Sequence, residues 1–488
     1  MPQIKTFSQY FGLSKNQFEL DFVDIPINNG DIPLFIDPYA ISKRTDYWSV
    51  DCHNAIVEFF QGVIDKIRES NEVEAKYMLS GLREPNQIRF GLSKGTYPNG
   101  RGIGREQTKD LYDALADSTA VKTGFIKDLE ECELLIEGIS RDKISDIATN
   151  VIRNKLIEYT QTQCELWGIP LTSVPSGSIW DTQENKWISE YTNLPICDSR
   201  SIILVPKAIA RFGMEFDHQE YFQHFVLNFL QAEHLSANSS LVRTLKDGTK
   251  KPPFKKTLKE KYPLSKGFLY EFSKNNPRVL ENYKRSKNYN LSEITVEELI
   301  YLITSVAGEQ SFDFDAFING LDSIPAGDTN AKKFHEHIIG ALTAIFYPAL
   351  INPKKEQEIH QGRKRIDITF QNAAHDGFFH DLPNNKNVPS GYVFVECKNY
   401  SSDPTNPELD QLSGRFSTNR GKFGFLVCRN FENKQLFIQR CKDTADDARG
   451  FIIVLDDNDI KTLLNFRREN NIQGISDFLD TRYRELVM

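Results

Sequence analysis

The segment Tyr392-Val-Phe-Val-Glu396-Cys-Lys398-Asn399 sets an acid and a base inside an apolar run, and Arg365-Ile-Asp367-Ile-Thr369 upstream carries a second acid in the same setting. Side chains alternate faces along a β-strand, so Glu396 and Lys398 project to one side while Val393, Val395 and Cys397 face a core. Asp367 shares a face with Arg365 and Thr369, and Ile366 and Ile368 point away from it. Charges placed so deep in apolar strands are costly to bury without a purpose. Two adjacent strands bring the two carboxylates and the ammonium together, and hydrolysis of a phosphodiester needs that set. Carboxylates are the hard oxygen ligands that Mg2+ prefers. A neighbouring ammonium orients the attacking water and stabilises charge developing on the phosphate.

The elements that must position these residues follow Ser323-Ile-Pro-Ala-Gly-Asp-Thr-Asn330, whose linker composition marks a domain boundary. Beyond it, the spacing of apolar residues predicts a helix over 331–347 and strands over 356–361, 364–371 and 391–399. A helix near 407–418, a strand at Phe423–Cys428, another helix and a strand at Phe451–Leu455 complete the sheet, with a helix from Asp459 to about Phe466 covering it. Gly362 makes a tight connection between the first two strands, and 372–390 reads as a long polar insertion able to fold over the site. The predicted class is α/β, a sandwich with a mixed sheet.

Asp367 followed by Glu396-Cys-Lys398 on the next strand resembles the D…E-x-K signature of the PD-(D/E)XK nuclease superfamily. The predicted α-β-β-β-α-β order resembles the core of that superfamily, over residues 331–470. Two departures stand out: Ile366 occupies the place of the usual proline, and the gap from Asp367 to Glu396 is long. The resemblance implies a restriction-endonuclease-like α/β/α sandwich over 331–488 that hydrolyses phosphodiester bonds, most simply in double-stranded DNA. It implies that Asp367 and Glu396, helped by the Cys397 carbonyl, hold Mg2+ or Mn2+ and that Lys398 positions the water. Glu336, in Phe334-His-Glu336-His, matches the glutamate that the family often carries on its first helix; Glu356 or Glu358 is an alternative for that role. Gln411, in Leu409-Asp-Gln411-Leu, matches a site-facing glutamine on the helix after E-x-K. Arg363, Lys364, Arg365, Asn399 and Arg415 are candidates for gripping the backbone around the scissile phosphate. For Arg363, Lys364 and Arg415 an ordinary surface charge is an equal reading.

The chain has 488 residues, enough for two or three domains, with 40% hydrophobic and 26% charged residues as in globular proteins. No apolar run approaches the roughly 20 residues needed to span a bilayer, and the first residues have no signal-peptide pattern. Seven scattered cysteines without a C-x-x-C pair favour free thiols in a reducing, cytoplasmic setting over disulfides or a zinc site. A net charge of −8 argues against indiscriminate coating of nucleic acid, yet Arg243–Lys287 is rich in lysines, Lys255 and Lys256 among them, interleaved with aromatics. That mixture suits phosphate contacts with occasional stacking; a lysine-decorated helical surface accounts for it as well.

Residues 1–200 read as an α+β region for sensing or partner binding, and 201–330 as a mainly helical basic region. Strands are predicted at Phe18–Pro26, Ile32–Pro38 and Ser201–Pro206, and helices at Cys52–Ile67, 106–117, 127–137, 142–167, 219–234 and 293–306, the last with Ser292 as N-cap. The glycine-rich run Gly95–Arg105 lacks the Lys-Ser/Thr of a P-loop and reads as a surface loop or a weak phosphate contact. His335, His337, His360, His375 and His380 match no zinc spacing. Two functional classes follow. One is a metal-dependent endonuclease of the kind found in prokaryotic restriction or anti-phage defence, with a protein partner or a second copy docking through the N-terminal region. The other is a catalytically inactive nucleic-acid-binding or scaffold subunit that keeps the nuclease fold.

Overall fold

Apolar β-branched and aromatic runs build the sheet of the C-terminal region. The computed structural model describes residues 4–91, 105–290, 293–308, 313–359 and 364–488. Helix α1 (Ala331–Phe346) leads into strands β1 (Leu350–Ile359) and β2 (Lys364–Asn372), a helix α2 (Gly377–Asn384) and strand β3 (Tyr392–Lys398). Helix α3 (Asn406–Ser413), strand β4 (Phe423–Cys428), helix α4 (Lys434–Asp446) and strand β5 (Phe451–Leu455) follow, and helices α5 (Asp457–Arg468) and α6 (Ile472–Val487) end the chain. The five strands lie side by side in chain order. β1, β2 and β3 pair antiparallel, while β3, β4 and β5 pair parallel. The class is therefore α/β with a mixed sheet. Every residue of β4 is buried, as expected of a central parallel strand covered on both faces.

The apolar face of α1, with Phe334, Ile338, Leu342, Ile345 and Phe346, packs into this sheet, and the Phe346 ring stacks on Phe425 at 5.4 Å. β1 starts six residues before its predicted position (350 against 356), and a register shift between Ile351 and Lys354 bends it. The segment 372–390 is not a polar lid. Its helix α2 buries Phe378, Phe379 and Leu382, and Phe378 meets Phe423 and Tyr483 edge-on at 5.5 and 6.2 Å. The surrounding Asn and Pro residues mask three apolar positions at helical spacing. Helix α6, which the sequence pattern did not mark, closes over α2 and β5 through Tyr483, whose ring lies 5.2 Å from Phe451.

In the N-terminal half the helix expected at Cys52–Ile67 runs from Tyr47 to Arg68, capped by Asp46. The stretch 127–137 forms a 3-10 turn and a single short helix rather than one helix. The helix expected over 142–167 is two, Arg141–Val151 and Arg153–Trp167, broken at Ile152, and Gly168 ends the second in the left-handed conformation at φ +68. Phe18–Pro26 is buried without joining a sheet, touching its neighbours through isolated bridges of Thr6 to Pro26 and of Phe22 to Pro206. In the segment Ser201–Pro206 only Ser201 belongs to a strand. Thr295, not Ser292, caps the helix Val296–Ala307, in a capping box with Glu298. Ser292, His360, Gly362, Arg363 and the glycine-rich run 95–104 lie outside the described residues.

Two apolar cores form, and neither is one continuous stretch of chain. The first joins Phe7–Leu34 and Ile294–Ile324 to the sheet; the second lies among the helices between Ile36 and Tyr283. Buried polar groups tie the N-terminal region to the edge strand β1. Asp21 Oδ2 accepts from the Tyr159 hydroxyl at 2.8 Å and from the Asn352 N–H at 3.2 Å. Lys207, fully buried, donates from Nζ to the Gln17 carbonyl at 3.2 Å and lies over the Tyr347 ring at 4.2 Å. Burial pushes the Lys207 ammonium down to about 7 against the pull of Asp21, and burial pushes Asp21 up. Among the described residues, no helix is long and apolar enough to cross a membrane.

Two measurements test this packing. The unfolded chain binds a proton at Lys207 up to its ordinary value while the folded chain releases it near 7, so this group adds stability as pH rises. The stability of wild type relative to Lys207→Met should therefore rise from about pH 7 to about pH 10, read from melting temperatures in matched buffers; a flat difference would remove Lys207 from this role. At Gly340 of α1 a Cβ would stand 2.8 Å from Glu19 Oε1 and 3.2 Å from its Cβ and Cγ. Gly340→Val should thus lower stability by about 1–3 kcal/mol in urea unfolding.

Candidate active site

β2 and β3 pair antiparallel from Gln371 and Tyr392 up to Ile368 and Val395, the last pair in register, and the next positions along the two strands are Asp367 and Glu396. Residues directly opposed in an antiparallel pair share a face. There the ladder gives way, and the Cys397 N–H donates instead to Asp367 Oδ2 at 3.1 Å. Glu396 is fully buried. Lys398 Nζ lies 2.7 Å from its Oε1, and apart from that ammonium Oε1 has no hydrogen-bond partner among the described residues. The other oxygen, Oε2, accepts from Nη1 of the buried Arg415.

Burial, with the Asp367 carboxylate next in weight, pushes the Glu396 carboxyl up; Lys398 and Arg415 pull it back. For Lys398 burial works against the charge, but Glu396 and Asp367 outweigh it and hold the ammonium above its ordinary value. Two acids and two bases thus form a compact cluster of zero formal charge. It sits at the carboxyl end of β3, where open α/β sheets characteristically bind ligands.

Asp367 and Glu396 supply hard oxygens on one face, and among the described residues the buried Oε1 meets a lysine alone, so the donor set fits a divalent ion of the Mg2+ type. Among the described residues, no three His, Cys, Asp or Glu side chains gather into a ready-made cage. Water would have to complete the coordination shell, as is usual for Mg2+. The Cys397 carbonyl already accepts from His335 Nε2 at 3.1 Å.

The other predicted site residues are spread more widely. Glu336 turns along α1 to Lys332, 3.8 Å away, and it is its neighbour His335 that reaches β3. Gln411 is exposed on α3, whose buried positions are Leu409, Leu412 and Ser413. Asn399 is buried and committed to the fold. Its Nδ2 donates to the Pro325 and Gly327 carbonyls at 3.1 and 2.7 Å, and its Oδ1 accepts from Arg429 at 3.1 Å. Arg429 in turn holds Asp457 at 2.8 Å, which ties the carboxyl ends of three strands to the segment before α1. Arg415 faces Glu396 rather than solvent, so it is not a free grip for phosphate. Lys364 and Arg365 belong to β2.

The basic stretch is divided: a few of its lysines and most of its aromatics pack on the second core, while most of its charges stay exposed. Lys266 donates to the Ile139 carbonyl at 2.7 Å and pairs with Glu133 at 3.4 Å, while Lys284 and Lys287 pair with Glu131 and Glu220. Tyr270, Phe272 and Tyr283 are buried, and the exposed Phe254 carries the Arg243 guanidinium at 3.7 Å. Lys255 donates to the Gln223 carbonyl at 2.7 Å, whereas Lys250, Lys251, Lys256 and Lys259 are exposed.

Sequence reasoning missed His335 as a group touching the site and missed the pairing of Arg415 with Glu396. No signal in the sequence marks a contact between residues nineteen positions apart. Residues 12–217 match the model of a family described as a domain of unknown function, DUF8370. No curated protein and no solved structure matches the chain.

Proposed function

We propose that residues 331–488 form a PD-(D/E)XK-like domain with a restriction-endonuclease-like α/β/α sandwich, and that it hydrolyses phosphodiester bonds in double-stranded DNA with Mg2+ or Mn2+. The observation that carries this reading is the meeting of Asp367 and Glu396 from adjacent antiparallel strands, with Lys398 2.7 Å from Glu396. The mixed order of the sheet and its helices supports it, since the signature falls on the second and third strands as the resemblance requires. By analogy of architecture, the remaining residues would serve recognition or partner docking, in a restriction or anti-phage role.

Asp367 and Glu396 would hold the ion, which when bound supplies Lewis-acid stabilisation of the scissile phosphate and lowers the pKa of a water. Lys398 orients the attacking water and offsets charge on the phosphate oxygens. Cys397 fixes the Asp367 carboxylate through its backbone N–H, and His335 fixes the strand end through the Cys397 carbonyl. The buried underside of β3 keeps this geometry stiff, because any rotation of the strand would expose Val393, Val395 and Cys397.

One observation favours the second reading, a catalytically inactive nucleic-acid-binding or scaffold subunit: Glu396 is already neutralised by Lys398 and Arg415 without a metal ion. Incubation of the full chain with supercoiled plasmid and Mg2+ or Mn2+ separates the two. The enzyme reading expects nicking or linearisation that falls by roughly 100-fold or more in Lys398→Ala, with a comparable loss in Asp367→Ala. Equal cleavage by wild type and variants, or none by any of them, would leave the scaffold reading.

A contribution of the exposed lysines to DNA binding makes a separate prediction. Charge reversal at Lys250, Lys251 and Lys256 should weaken binding to DNA of any sequence. It should also flatten the salt dependence, by about one unit of slope for each phosphate left without its lysine. An unchanged slope would return this stretch to ordinary surface.

A further inference from the structure

We propose that Arg415 stands in for a second metal ion, so that the centre takes one divalent ion per chain and not two. The inference rests on the metal-dependent reading above and deepens it. Its basis is the division of labour between the two oxygens of Glu396. Oε2 is held by Arg415, whose own side chain is only 4% exposed, and Oε1 faces Lys398 with no further hydrogen-bond partner among the described residues. A guanidinium is permanently charged and planar, and it engages a carboxylate as a fixed cation rather than an exchangeable one.

Arg415 is also firmly mounted. Its N–H donates to the Leu412 carbonyl at 3.0 Å, and its carbonyl accepts from Arg420 at 3.2 Å. The next residue, Phe416, stacks on Phe394 of β3 at 5.7 Å. Leaving for solvent would strand the buried Glu396 carboxylate beside Asp367, which is costly. The charge count points the same way. Asp367 and Glu396 balance Lys398 and Arg415, so one divalent ion leaves a net charge of about +2, suited to a phosphodiester, while a second would face an arginine at contact distance of the carboxylate that must bind it.

Arg415 is therefore a positioning residue. It sets which oxygen of Glu396 is open to an ion and how many ions the site accepts. The test counts Mn2+ on the full chain by electron paramagnetic resonance, without DNA. Wild type should bind one ion that is lost in Asp367→Asn. Arg415→Met should bind Mn2+ roughly tenfold tighter, or take a second ion, because a competing positive charge has gone. Arg415→Lys keeps a positive charge beside Glu396 and should keep the count of one ion.

Two ions on the wild type, each sensitive to Asp367→Asn, would overturn this inference while leaving the metal-dependent reading intact. Unchanged or weaker binding by a folded Arg415→Met, judged by circular dichroism, would overturn it too. Should Arg415→Met fail to fold, the wild-type count and Arg415→Lys decide. If the wild type binds no Mn2+, or binds it indifferently to Asp367→Asn, the metal-dependent reading itself fails and this inference with it.

Discussion

The C-terminal region is organised around the burial of one carboxylate. Glu396 sits in the third of five strands with no solvent exposure, in a position where apolar residues would otherwise pack. An unpaired charge there would cost several kcal/mol, so the surroundings must supply opposite charge at fixed places. Lys398 does so from the same strand and Arg415 from the end of the following helix. The requirement reaches further, because Arg415 can meet Glu396 only if α3 is docked by Leu409 and Leu412 and if Phe416 is stacked on Phe394. The charged cluster and the apolar packing beneath it are therefore one construction.

A second set of buried polar contacts joins the two halves of the chain. Asp21, Tyr159, Lys207 and Asn352 link the N-terminal segment and its long helices to the edge strand β1. Trp48 donates its backbone N–H to Gln371 on β2 at 3.3 Å, and Tyr47 stacks on Tyr392 of β3 at 5.3 Å. Lys15 reaches the Glu336 carbonyl at 3.4 Å on α1, the helix whose His335 touches the strand of the signature. The part of the chain that matches DUF8370 thus lies directly against the elements carrying Asp367 and Glu396. A rearrangement of that part would be felt at the cluster through packed groups, without a long relay.

Much of the C-terminal architecture was legible in the sequence because its strands are short, apolar and bounded by polar turns. Phe423–Cys428 and Phe451–Leu455 read as short buried strands, too short for a helix and rich in β-formers, and form two of the sheet's parallel strands. The alternation that set Glu396 and Lys398 on one face was equally legible, because the strand period of two leaves no choice. Less legible were segments whose apolar residues are few and scattered among Asn and Pro. Helix α2 read as a polar insertion although its three apolar side chains enter the core. The break at Ile152 lies in a sequence with unbroken helical periodicity, and only the packing of the two flanking helices reveals it.

By itself the sequence determined the carboxylate, the lysine and their common face, and it determined the apolar strands that carry them. Those properties are local: they follow from alternation along one strand and from the cost of exposing its apolar side. The tertiary structure decided which charges answer Glu396, since Arg415 and Lys398 are equally basic as letters and only one lies on the same strand. It decided that Asn399 locks the fold and that His335 reaches the Cys397 carbonyl of β3. It also turned Lys266 and Lys287 of the basic stretch inward and half-buried Lys284, where Glu133, Glu220 and Glu131 meet them across more than sixty positions of chain. Long-range pairing of charges has no period and no spacing rule, so only the folded chain records it.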